Sequence, residues 1–280
     1  MPRRRTTLRE EIIFEGKGIH TGRASSVKIS PHIEGQGITF AFGTKRYCIA
    51  EAYADGSMRS TALLFPGGER VRTVEHILSA IAGLGLDDVL ITPRGEEMPI
   101  MDGSPLAFAE KINSRGLREF DSEYATCRLD APVCVDLIKS QIFALPSDEL
   151  RITYVIDYPD SPIGTEMIDA AVTGESFMSR IAPARTFCLA REAEAIRASG
   201  FGLGGAADNV LIIGDGDPRG EYRVECECAA HKAADLLGDM ALLGFVPCAH
   251  YICVRGGHAL HIKLADRLKR SVLKYRGGND

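Results

Sequence analysis

Apolar positions repeat with two different periods along the chain. In the first third the period is two. Ser26-Val27-Lys28-Ile29-Ser30 and Gly37-Ile38-Thr39-Phe40-Ala41-Phe42 alternate, and Asp88-Val89-Leu90-Ile91-Thr92 is β-branched, so each reads as a strand. Between them Val74, Ile77, Leu78 and Ile81 fall at i, i+3, i+4 and i+7. That stripe predicts a helix over 73–82, with Thr73 as N-cap and Gly83 as stop. A second helix fits 105–114 and ends near Gly116. Residues 115–130 are charged and lack a strong period, which places a domain boundary there and divides the chain into 1–122 and 123–280. Strand patterns resume at 132–135 and 150–156. A helix follows over 190–198, then a glycine-rich turn over 200–205 and a short strand over 209–214. A long helix over 224–243, a strand over 250–254 and a helix over 258–271 complete the chain. Each half reads as a sheet with two or three helices, an α+β arrangement in two domains. The order repeats loosely, without a clear sequence repeat.

At 280 residues the length suits about two domains, and roughly three quarters of the unfolded surface can be buried without covalent staples. The chain is 45% apolar and 25% charged, an ordinary globular balance. Its net charge of −5 excludes a protein whose main task is to coat nucleic acid, because phosphate binding needs a basic surface. No apolar run follows the basic start before Glu10, so no signal peptide is expected. The longest apolar stretch, 241–254, is broken by Pro247 and His250 and is too short to cross a bilayer. Eight scattered cysteines in a chain large enough to fold without them are expected to be thiols in a reducing cytoplasm.

Three constellations could carry chemistry. On a helix, His231, Asp235 and Asp239 share one face at i, i+4 and i+8, and an imidazole and a carboxylate one turn apart can ligate a single metal. The plainer reading is a solvated polar face. Glu75-His76 opens the apolar helix, where the N-terminus favours an anion; a capping carboxylate beside a surface histidine is the alternative. Gly256-Gly257-His258-Ala259-Leu260-His261 follows a strand and opens a helix, so His258 could sit at a cleft edge. Taken together, two histidines and an aspartate would hold a zinc ion with one position left for water; Glu75 could take the water proton and His258 serve as acid. No HExxH occurs. Cys226-x-Cys228 with His231 is a rival set, but a helix turns the two thiols about 200° apart. Gly16 to Gly22 lacks the ending of a phosphate loop and reads as a tight turn, as does Met101-Asp102-Gly103-Ser104.

These pieces stand in an order that resembles the zinc-dependent UDP-3-O-acyl-N-acetylglucosamine deacetylases of lipid A synthesis. The matching segments are GKGIHTG (16–22), TVEHILSAIAGLGLDD (73–88), PIMDGS (99–104), ARTF (184–187), GFGLGGAADNVLI (200–212), HKAADLLGD (231–239) and GHAL (257–260). The resemblance implies two α+β domains, each a sheet layered against helices, with the metal between them. It implies His76, His231 and Asp235 as zinc ligands, ferrous iron being the alternative ion. Glu75 matches the general base, His258 the general acid, Asp239 the carboxylate that orients it, and Thr186 the hydroxyl that polarises the amide carbonyl. Lys232, Lys139, Tyr158 and Phe187 match contacts to the nucleotide-sugar, with His20 near the mouth. A βαβ insert at about 186–213 would frame an acyl passage along Ala193, Gly202, Leu203, Ala207 and Ile212. The small residues Ala193, Gly202 and Ala207 imply a roomy one. Ser60 stands where some relatives have a cysteine, so no extra inhibitory zinc is expected through that position.

The expected partner is therefore an acylated UDP-amino-sugar, with neither nucleic acid nor a transmembrane segment, acted on by a cytoplasmic monomer in a Gram-negative-type bacterium. Rival readings are a zinc amidase for another acylated amino-sugar and a non-catalytic binder of sugar nucleotide or lipid. The base-acid pair argues against the last.

Overall fold

The computed structural model describes residues 3–216 and 218–276. The chain begins with β1 (Arg4–Leu8), β2 (Ile12–Lys17), β3 (Ala24–Pro31), β4 (Ile38–Phe42) and β5 (Lys45–Cys48). A small sheet of β6 (Tyr53–Asp55), β7 (Ala62–Leu64) and β8 (Arg70–Arg72) follows, then α1 (Glu75–Gly83), β9 (Val89–Arg94), α2 (Leu106–Arg115) and β10 (Leu117–Glu123). The second half runs β11 (Val133–Leu137), β12 (Ser140–Pro146), β13 (Arg151–Tyr158) and β14 (Gly164–Ala171). One turn, α3 (Gly174–Ser176), runs into a π-turn at Phe177–Ile181. Then come β15 (Phe187–Leu189), α4 (Ala190–Ala198), β16 (Leu211–Ile213), α5 (Glu227–Met240), β17 (Ala249–Val254) and α6 (His258–Arg276).

The two halves share one topology. The first sheet has the order β2-β3-β9-β4-β5 and the second β11-β12-β17-β13-β14, and in both only the third and fourth strands of that order run parallel. Burial alternates along β3, β9, β13 and β17, so each sheet turns one face to its helices and the other towards solvent. Both helix layers meet where α1 packs on α5. Nearly every residue of these two helices is buried, as expected of helices covered on all sides. Their approach is close enough to demand glycine: a Cβ on Gly238 would collide with the Glu75 carbonyl.

Most elements lie within a few residues of their predicted bounds, and α4 falls on 190–198 as read. One expectation is corrected. Thr73 does not cap α1. Its φ is +58°, its hydroxyl bonds Glu97 Oε1 at 3.0 Å, and Val74 is the residue before the helix. The charged stretch after Arg115 carries β10, which returns to pair with β1. We propose that the domain division falls between Glu123 and Val133. No disulfide joins any of the eight cysteines, and among the described residues no helix is long and apolar enough to cross a membrane.

Candidate metal centre and active site

Three buried carboxylates and three buried histidines converge where α1, α5 and α6 begin or cross. His76 comes from the first turn of α1; His231 and Asp235 lie one turn apart on α5. The Nε2 atoms of His76 and His231 stand 3.8 and 3.5 Å from Asp235 Oδ1, and all three donor atoms lie within 4.8 Å of one another. Asp235 Oδ1 and His76 Nδ1 are buried without a hydrogen-bond partner. An orphaned carboxylate oxygen is costly unless something positive meets it.

The protonation states also suit a cation. His231 Nδ1 donates to the Ala184 carbonyl at 3.0 Å, which leaves Nε2 unprotonated. Burial pushes the His76 imidazole down to about 3, and burial likewise lowers His231. Burial opposes the Asp235 charge, yet Lys232 and the surrounding histidines hold that carboxyl well below the usual range. Lys232 Nζ bonds Asp235 Oδ2 at 2.9 Å. Two neutral imidazoles and an ionised carboxylate are the donor set that a divalent metal requires.

Beside this trio stand the Glu75 carboxyl and the His258 imidazole. Glu75, at the helix N-terminus, accepts the Thr61 backbone N–H at 3.0 Å, and burial pushes its carboxyl up to about 8. His258 Nε2 faces Glu75 Oε1 at 3.8 Å and Asp235 Oδ2 at 3.7 Å. Its Nδ1 is 2.8 Å from Asp239 Oδ2. Burial opposes the His258 charge, but Asp239, Asp235 and Glu75 together raise it to about 9. Burial also disfavours the Asp239 anion, which His258 and His261 keep low.

A cavity of about 520 Å³ opens from His258 and Lys232. Thr186, Phe187, Tyr158 and His20 line it, and so do Ala193, Gly202 and Ile212 of the predicted passage. Phe187 stands edge-on to both Tyr158 and His231, with Lys232 Nζ 5.9 Å from its ring centre. The insert is a βαβ unit, since β15 and β16 pair in parallel across α4. Three expected residues are not in the lining. Lys139 sits exposed at the tip of the β11–β12 hairpin, where Leu137 and Ser140 reach the cavity instead. Leu203 and Ala207 point to solvent, and their neighbours Ile196, Ala206 and Val210 take the inward positions. Cys228 lies 3.3 Å from the Tyr222 hydroxyl, and the metal-capable group around His231 includes neither Cys226 nor Cys228.

Several residues that hold the site were not singled out from sequence. Thr61 bridges the two catalytic candidates, its N–H on Glu75 and its hydroxyl on Asp239 Oδ1 at 2.6 Å. Glu97 receives the backbone N–H groups of His20 and Thr21 at 2.9 Å each and so fixes the loop carrying His20. The Met101–Ser104 turn is more than a turn. Its Gly103 carbonyl accepts Thr186 N–H at 2.8 Å, and a Cβ on Gly103, at φ +84°, would collide with Asn209. Arg223 bonds Asp102 Oδ2 of that turn at 2.5 Å.

The site is that of a metal-dependent hydrolase with an apolar annex. Residues 5–270 match the family of UDP-3-O-acyl N-acetylglycosamine deacetylases, and the chain belongs to that family. It is 36% identical to the UDP-3-O-acyl-N-acetylglucosamine deacetylase of Nostoc sp. over 273 residues, covering 94% of this chain and 97% of that one. The enzyme of the same name from Chlamydia pneumoniae is 35% identical over 278 residues, 96% of this chain and 98% of its own. That of Nitratidesulfovibrio vulgaris is also 35% identical, over 96% of this chain and 89% of its own.

Proposed function

We propose that the chain hydrolyses the N-acetyl amide of a UDP-3-O-acyl-N-acetylglucosamine, releasing acetate and the free amine on the route to lipid A. The observation that carries this reading is the placement of a base, an acid and an orphaned metal-ligand set at one end of a cavity whose other end is apolar. His76, His231 and Asp235 would hold the ion, for which we propose zinc. When bound, such an ion supplies Lewis acidity and lowers the pKa of water.

The protein residues supply the proton transfers and the orientation. Glu75 takes the proton of the attacking water, its second oxygen held by Thr61 so that Oε1 is left to the reaction. His258, kept cationic by Asp239, opposes the charge of the tetrahedral intermediate and then protonates the leaving nitrogen. The Thr186 hydroxyl donates towards the amide oxygen, its backbone fixed by Gly103 and Leu211. Lys232 meets the anionic substrate locally, which the overall charge of −5 cannot do. Phe187 and Tyr158 offer aromatic faces to the sugar nucleotide, and His20 borders the mouth. Ala193, Gly202 and Ile212 flank the acyl chain. We place the enzyme in the cytoplasm of a Gram-negative-type bacterium.

Glu75→Gln tests the reading on the UDP-linked acylated sugar. Acetate release should fall by about 10²–10⁴-fold while bound metal is retained; undiminished turnover would remove Glu75 as base.

A further inference from the structure

His261 has no part in the chemistry above, yet it is fully buried and lies three residues after His258, on the same face of α6. Its Nδ1 is 2.8 Å from Asp239 Oδ2, the oxygen that His258 Nδ1 also meets at 2.8 Å. The other oxygen, Oδ1, takes the Thr61 hydroxyl at 2.6 Å. On the far side of the His261 ring, Nε2 lies 3.0 Å from the hydroxyl of Tyr154, a buried residue of β13. The ionised Asp239 carboxylate can only accept, so the His261 proton sits on Nδ1, and Nε2 of the neutral ring accepts from the Tyr154 hydroxyl. Every polar atom in the chain from Tyr154 through His261 and Asp239 to Thr61 thus has its partner.

We propose that His261 is a positioning residue for the deacetylation, acting through Asp239. A carboxylate turns easily about its last torsion. With His258 alone on Oδ2, the plane of Asp239 would depend on the ring that it is meant to orient. The His261 N–H supplies a second, independent hold on that oxygen, and Thr61 a third on the other. Tyr154 carries the restraint back into the sheet by fixing which nitrogen of His261 bears the proton. The proposal rests on the deacetylase reading for the reaction that it serves.

Three substitutions separate this role from core filling. The Asn side-chain amide can place an N–H near the position of imidazole Nδ1, whereas that of Gln extends to Nε2 and Leu offers neither. On the metal-loaded enzyme, His261→Asn should keep kcat within about threefold of wild type. His261→Gln and His261→Leu should lose about tenfold or more in kcat at unchanged KM, the scale of a hydrogen bond to a charged group. Equal kcat in all three variants, or losses confined to KM, would overturn the proposal. Should the Leu variant fail to fold, Tyr154→Phe gives the same test: it should lower kcat a few-fold in the wild-type background and not at all on top of His261→Asn. A loss of equal size in both backgrounds would count against the proposal. A readout independent of turnover is the low-field imidazole N–H proton of His261 Nδ1 in the NMR spectrum. Its absence overturns the proposal whatever the activity. Failure of the wild type to release acetate, with that proton present, overturns the deacetylase reading instead.

Discussion

The two halves are built on the same strand order, yet they contribute differently to the site. Each has a long connection between its fourth strand and its central helix, and each fills it with an extra unit. In the first half that unit is the sheet β6–β8, flanked by Thr61, which hydrogen-bonds both Glu75 and Asp239. In the second it is the β15–α4–β16 unit, which walls the apolar end of the cavity. The central helices differ too. α1 brings Glu75 and His76 to its first turn, whereas α5 brings His231, Asp235 and Asp239 along three successive turns. Similar scaffolds therefore gain their division of labour from what is inserted and from where the polar residues fall on two otherwise apolar helices. The first half supplies the proposed base and its clamp, and the second supplies most of the proposed metal set, the proposed acid and the proposed passage.

That division can be broken from either side. The largest effect is expected at the base, where Glu75→Gln should remove most of the turnover without emptying the metal set. Thr61→Val comes next. It keeps the N–H on Glu75 and removes the hydroxyl from Asp239, so kcat should fall about tenfold, read by acetate release. Gly238→Ala attacks the contact between the halves themselves. The collision with the Glu75 backbone should cost about 1–3 kcal/mol and lower Tm by several degrees in a thermal melt. Ala193→Leu touches only the second insert. Its smaller effect should appear as slower turnover of long acyl chains with short ones unaffected; sharp rejection of long chains by the wild type would refute a roomy passage.

Much of this scaffold is readable from periodicity because its central helices and inner strands are amphipathic or wholly apolar. The strand β10 is not, since most of its residues are exposed and its charged sequence carries no alternation to read. Thr73 shows the same limit at a helix end. Its hydroxyl was free to cap α1 on sequence grounds, but the buried Glu97 claims it from another part of the chain. The spacing of His231, Asp235 and Asp239 gave one face of one helix, and the family resemblance joined it to Glu75-His76. The roles of Thr61 and Tyr154 exist only after distant segments meet, 178 residues apart for Thr61 and Asp239 and 107 for Tyr154 and His261, so no local pattern announces them. Leu203 and Ala207 fail for a local reason: in a glycine-rich loop, neighbouring side chains need not follow any fixed alternation, and Ala206 and Val210 are the ones turned inward.

Ligands from both halves should form one metal site. Elemental analysis of purified wild type, His76→Ala and His231→Ala tests this most directly. A single ion per chain should be present in the wild type and largely lost in both variants, with each variant still folded by circular dichroism. A His76→Ala protein that keeps its full metal content would contradict the account, because the first half would then have no hold on the ion.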